Sequence, residues 1–210
     1  MNPATRSRED SLDAAVSALK AGDASTAESL CREYLVSNPT CVAHLRLLGH
    51  SLMQQRRYGE AEKQLRTAIT LDPEFPPLCE DLGSALAQQR KFEEAIPHFK
   101  KAVMLDPNLA NAHKKLGQAL ASVGRGSEAD EAFQAFFEKN PKLGAVAIGA
   151  EHMRAGREDE AVDSFRQALK DYPDNVDAMR FLAAIYLKRG KEGRKLGDAE
   201  ALLIRATQIK

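Results

Sequence analysis

LGSALAQQRKFEEAIPHFKKAVMLDP, residues 82–107, is the stretch whose reading decides the fold. The same pattern returns one period upstream as LGHSLMQQRRYGEAEKQLRTAITLDP, residues 48–73, and one period downstream as LGQALASVGRGSEADEAFQAFFEKNP, residues 116–141. In register stand Leu48-Gly49, Leu82-Gly83 and Leu116-Gly117, then Ala61, Ala95 and Ala129. Four residues further come Leu65, Phe99 and Phe133, followed by Ala68, Ala102 and Phe136. Pro39, Pro73, Pro107 and Pro141 close successive periods of 34 residues. A fixed repeat of that length, with apolar residues at helical spacing, predicts a stack of two-helix units.

Each recurring residue has a physical reason. The glycine and alanine are expected where the two helices of a unit cross, because a larger side chain would hold the backbones apart at a cost of about 1 to 3 kcal/mol. The Phe or Leu one helical turn past the alanine is expected to fill the gap between units. Proline ends the second helix, since it lacks an N–H and disfavours the α region for its predecessor. On these residues the chain resembles the tetratricopeptide repeat, a 34-residue helix-turn-helix. The resemblance implies an all-α fold, a right-handed α-solenoid or superhelix.

Outward from the three strong units the register weakens but persists. Ala27, Cys31, Tyr34 and Pro39 mark the second helix of a first unit, after a helix from about Arg8 to Lys20 and a turn at Gly22-Asp23. Ala161, Phe165, Ala168 and Pro173 mark a fifth unit two residues short. Met179, Leu182, Ala183 and Tyr186 open a sixth, whose turn at residues 190–197 reads as a solvated insertion before a last helix from about Asp198 to Ile209. The expected organisation is a lead of residues 1–7 without order, then one solenoid over 8–210. Its units are approximately 8–41, 42–75, 76–109, 110–141, 142–175 and 176–210.

Some positions depart from the pattern. There is no tryptophan, and the first aromatic slot holds Leu45, Cys79, His113, Ala145 or Met179. The first helix of unit five, Lys142 to Ala155, carries Gly144 and Gly149 with only Ile148 as a large branched residue inside. A glycine within a helix costs about 1 kcal/mol relative to alanine, so a bend or slack point is expected there. Pro97 is expected to be harmless, in the first turn of a second helix.

Lys and Arg number 30 and Asp and Glu 30, a balance that argues against nucleic acid or another polyanion as partner. Cys31, Cys41 and Cys79 form no CxxC pair, and their odd number suits a reducing compartment. Cys31 and Cys79 fall on packing positions. With no secretory signal and no apolar membrane span, the expected location is the cytoplasm. His44, His50, His98, His113 and His152 lack metal-ligand spacing, so no metal or other cofactor is expected. No nucleophile-elbow, dinucleotide or phosphate-loop motif occurs, and the chain by itself is not expected to be an enzyme.

The resemblance implies recognition in a groove lined by the first helix of each unit. The corresponding positions hold Arg46, Leu47, His50 and Gln54, then Glu80, Asp81, Ser84 and Gln88. Asn111, Lys114, Lys115, Gln118 and Ser122 follow, then Val146, Ala147, Ala150 and Arg154. Such a groove runs basic, acidic, basic and apolar, suiting an extended segment of alternating charge. The carboxylate clamp of chaperone-binding members fails here, because Asp81 stands in its middle. The asparagine ladder of glycosyltransferase-linked arrays fails too, its positions being Leu47, Asp81, Lys115, Ala147 and Phe181.

Repeat arrays need a polar cap, and the last helix is expected to leave a stripe of Leu202, Leu203, Ala206 and Ile209 half open. That expectation points to a longer polypeptide, or to docking on a partner or second copy. Two functional readings follow. The first is a protein-protein interaction scaffold that binds a peptide or protein segment in its groove. The second is the substrate-presenting front of a larger enzyme, since the degenerate, bacterial-looking units resemble those ahead of sulfotransferase domains.

Overall fold

The computed structural model describes residues 8–154, 156–189 and 193–209. The expected lead at residues 1–7 lies outside them, as do residues 190–192 of the expected insertion. Among the described residues there are twelve α-helices and no strand. They are α1 (Arg8–Lys20), α2 (Ala24–Ser37), α3 (Val42–Gln54), α4 (Tyr58–Leu71), α5 (Pro76–Gln88), α6 (Phe92–Leu105), α7 (Ala110–Ser122), α8 (Gly126–Lys139), α9 (Pro141–Arg154), α10 (Glu158–Asp171), α11 (Val176–Arg189) and α12 (Gly193–Gln208). The chain is thus all-α, of the repeat-solenoid class, with odd and even helices alternating as the two members of each unit. The contacts group into two compact bodies, one ending at Phe133 and the other beginning at Gln134, inside α8.

The turns inside the units repeat as strictly as the helices. Gly22, Arg56, Arg90, Gly124 and Gly156 all have positive φ, at 81°, 59°, 62°, 79° and 74°. After each, an N–H reaches back five residues, as Arg57 N to Leu52 O at 2.9 Å, Lys91 N to Leu86 O at 3.1 Å and Arg125 N to Leu120 O at 3.0 Å. This is a left-handed helix cap that satisfies the last carbonyls of the first helix and reverses the chain. Asp23 adds a side-chain cap, accepting from Thr26 N at 3.0 Å.

In the N-terminal body the core is continuous from pair to pair. Leu48, Leu52, Leu65, Leu78, Leu82, Leu86 and Phe99 are all buried in one cluster, with Ala61 and Ala95 at the helix contacts. Each register glycine meets the large residue of its own unit. A Cβ at Gly49 would lie 2.8 Å from Leu65, at Gly83 2.7 Å from Phe99, and at Gly117 2.9 Å from Phe133. The Leu or Phe therefore seats on the glycine of its own helix pair and is not only filler between units. Cys31 and Cys79 are buried, and burial pushes the Cys31 thiol up to about 12.

On the side of the even helices a second set of contacts ties unit to unit. Gln55 donates to Ala24 O and to Glu28, and Arg57 donates to Glu28 at 2.6 Å. One repeat on, Gln89 donates to Tyr58 O and to Glu62, and Lys91 to Glu62 at 3.0 Å. Burial acts to raise the Glu62 pKa, but hydrogen bonds from Gln89, Arg66 and Lys91 outweigh it and hold the group at about 2.

The C-terminal body packs Val146, Ala161, Val162, Phe165, Leu182, Ile185 and Tyr186 in one cluster. Phe181 stacks on Phe165 with ring centroids 5.3 Å apart. Asn175 caps α11 through Ala178 N and donates to Lys142 O at 2.9 Å, pinning the start of α9.

Several expectations are corrected here. Pro141 follows the end of α8 at Lys139, as a helix-ending proline should, but it is also the first residue of α9. The four-residue link seen at Asp72–Phe75 shrinks to Asn140 alone, whose side chain donates to Phe136 O and whose carbonyl accepts from Leu143 N and Gly144 N. The missing residues of the short unit are lost at this link. Ile148 is 57% exposed, not inside, and Val146 is the buried branched residue of α9.

Gly149 is not slack in the helix. A Cβ there would lie 2.5 Å from Phe165, so it is the register glycine of unit five. Gly144 also lies in a close approach, since a Cβ there would stand 3.1 Å from the Cβ of Phe137. Pro97 stands inside α6 and not in its first turn, so its missing N–H leaves the Glu93 carbonyl without a helical donor. Finally α12 starts at Gly193, five residues before the expected helix start, because extending a helix already nucleated fixes one residue per added hydrogen bond. Its Ala206 is buried and Leu202 partly so, while Leu196, Leu203 and Ile204 are the exposed large residues.

Candidate functional site

The odd helices of the N-terminal body carry most of the groove positions. Two hollows open along them. The larger, of about 760 Å³, is floored by Val16 and Leu19 of α1 and Leu47 and Met53 of α3, with Tyr58 from the start of α4. Its rim holds Lys20, His50, Gln54, Ser84, Gln88 and Lys115. The smaller, of about 410 Å³, shares Val16 and Leu47 and continues to Leu12, Val42, Arg46 and Phe75. The shared residues make one apolar strip running under both.

The charges expected to alternate along this face pair with one another. Arg46 Nε donates to Asp81 Oδ2 at 2.5 Å, and His50 Nε2 lies 2.8 Å from the same oxygen. Asp81 is 8% exposed. Burial works against its ionised form, but the hydrogen bonds and charges of His50 and Arg46 prevail and lower its pKa. The Arg46 guanidinium also lies 5.6 Å from the centre of the Phe75 ring. One repeat further, Lys115 Nζ donates to Glu80 Oε1 at 2.6 Å, and Ser84 Oγ donates to the Glu80 carbonyl at 2.7 Å. Both ion pairs join residues 35 apart, one period plus one position, so each cation reaches the facing helix of a neighbouring unit.

Of the groove residues expected from sequence, Leu47, His50, Gln54, Ser84, Gln88 and Lys115 share the larger hollow, and Arg46 lines the smaller. Glu80 and Asp81 act as counter-ions to those cations. Asn111, Lys114 and Gln118 are exposed on α7 and line neither hollow. Arg154 is exposed on α9 in the other body. The α1 contribution was missed, although it was within reach. Moving the positions of Arg46, His50 and Gln54 back by 34 gives Leu12, Val16 and Lys20, all three of which line the hollows.

A buried polar chain lies behind this face. His44 accepts or donates at Cys41 Sγ and Ser11 Oγ, each 3.2 Å away, and stacks on Tyr34 with centroids 3.9 Å apart. It joins α1 to α3 and fixes the spacing of the strip's two walls. Among the described residues no three His, Cys, Asp or Glu side chains are grouped to hold a metal ion, and no helix is long and apolar enough to cross a membrane.

Comparison with known proteins agrees with this architecture. The family model described as tetratricopeptide repeat matches residues 12–76 and 146–208, and one described as TPR repeat matches 83–124. No curated protein matches the chain at a significant level. Among solved structures, MamA is similar at 27% identity and a TM-score of 0.62, over 76% of this chain and 88% of that one. A thermophilic TPR protein of Thermus thermophilus is 20% identical with a TM-score of 0.64, over 86% of this chain and 100% of that one. YrrB, described as a TPR protein with an unusual peptide-binding site, is 21% identical with a TM-score of 0.58, over 81% and 89%. With the repeat register, the helix pairing and a family model covering more than half its length, the chain belongs to the tetratricopeptide-repeat family.

Proposed function

We propose that this chain is a non-catalytic protein-interaction scaffold that holds an extended peptide or protein segment along the odd-helix face of its N-terminal body. The observation that carries the reading is the apolar strip of Val16, Leu47 and Met53, open to solvent within a hollow of about 760 Å³ and rimmed by amide, hydroxyl and ammonium groups. Concave sites with an apolar floor and a few fixed polar groups are where ligands bury most of their surface. The fold is shared with YrrB, whose description names a peptide-binding site.

The hydrogen-bonding rim suits a peptide backbone. Gln54 and Gln88 are exposed, each with an amide donor and acceptor, and stand one period apart along the strip. A random dodecapeptide library displayed on phage tests the reading. Peptides selected on the wild-type protein should lose at least about tenfold in affinity on Leu47→Glu, about 1.4 kcal/mol, with the circular dichroism unchanged. Selected peptides that ignore Leu47→Glu would contradict it.

A further inference from the structure

We propose that the occupant of this face is an acidic amphipathic segment, with one bulky apolar side chain on Val16 and Leu47 and a neighbouring carboxylate held by Lys20. The inference rests on the groove reading above and adds the chemistry of the ligand.

None of the residues lining the larger hollow is Asp or Glu, whereas Lys20, Lys115 and His50 are all there. Lys115 and His50 are already met by Glu80 and Asp81, so among the described residues the unmatched charge at this hollow is that of Lys20. Beside the larger hollow, Asp81 is taken by Arg46 and His50 and Glu80 by Lys115, and the carboxylate of Asp72 lines only the smaller hollow, in the company of Arg8 and Arg46. Lys20 differs from Lys115. It is exposed in the last turn of α1 and has no ion-pair partner among the described residues.

A ligand covering the strip strips water from that ammonium, and an uncompensated buried charge is unfavourable. An acidic side chain meets it, while a basic or neutral one leaves it unpaired. The apolar floor excludes the opposite extreme. A segment of carboxylates alone would leave Val16, Leu47 and Met53 facing water or charge, so the segment must alternate acidic with large apolar residues. Charge matching of this kind sets selectivity and makes association sensitive to salt.

The test is the composition of peptides selected from the displayed random library, followed by fluorescence anisotropy with synthetic copies. Support is enrichment in Asp and Glu beside Leu or Phe, with affinity about tenfold lower on Lys20→Glu and lower again at high salt. Lys20 is exposed and has no ion pair among the described residues, so Lys20→Glu keeps the fold, with Lys20→Ala giving an intermediate loss. If peptides depend on Leu47 but are neutral or basic and are indifferent to Lys20→Glu, the acidic-segment proposal falls and the groove stands. If no selected peptide depends on Leu47, both fall.

Discussion

A methyl group on Gly83 would stand 2.7 Å from Cε1 of Phe99, closer than side-chain carbons approach one another. The glycine of the Leu-Gly pair is thus the socket into which the unit's large apolar residue is set. Gly83→Ala or Gly149→Ala is expected to lower stability by about 1 to 3 kcal/mol through overpacking, read as a shift of the urea midpoint. Gly197→Ala, where nothing lies within 4 Å of a new Cβ, is expected to raise stability by about 0.5 to 1 kcal/mol. Equal effects at the three sites would contradict the socket.

Arg56 and Arg90 occupy the left-handed turn position that Gly22, Gly124 and Gly156 hold in the other units. A side chain there costs about 1 kcal/mol. Arg56→Gly and Arg90→Gly are therefore expected to raise the melting temperature, and Gly124→Ala to lower it.

Pro97 leaves the Glu93 carbonyl without its helical donor, one turn into α6. The side chain is exposed, so nothing is lost from the core on replacement. Pro97→Ala is expected to stabilise the N-terminal body by about 1 to 3 kcal/mol. A lower melting temperature for this variant would contradict the account.

Glu62 titrates at about 2 in the folded chain against an ordinary value of 4.5. A depressed carboxylate contributes stability that is complete above the unfolded value and is lost as pH falls through the folded one. Denaturant midpoints are accordingly expected to decline between pH 4.5 and 2, with Glu28 and Asp81 shifted in the same direction. Glu62→Gln should flatten part of that decline.

Asp81 pairs with Arg46 and lies 2.8 Å from His50 Nε2 in a largely buried position. Asp81→Ala leaves both without their partner and is expected to cost about 3 kcal/mol. The double variant Asp81→Ala with Arg46→Met should recover part of the loss, measured by chemical denaturation.

The repeat was legible in the sequence because each of its constraints falls on a residue type with few alternatives. Gly49, Gly83 and Gly117 leave room for one neighbour, and Ala61 and Ala95 sit in the core where helices touch. Where a constraint was carried by geometry instead, sequence reading failed. Pro141 looks like the other closing prolines, but the link before it has shrunk to one residue, and only the backbone reveals that it starts α9. Ile148 has the composition of a core residue, and its exposure is decided by the helix's rotation. Which residues line the hollows was partly legible for the same reason. Register located Leu47 and His50, but the pairing of Arg46 with Asp81 depends on two helices facing each other, which single-helix positions do not express.

The most direct test of the peptide-holding face is methyl NMR of the labelled protein during titration with a selected peptide. The account predicts saturable shifts at Val16, Leu19, Leu47 and Met53, with Val36 and Met104, 84% and 71% exposed on the even helices, left unmoved. Shifts at Val36 and Met104 with a silent Leu47 would contradict it.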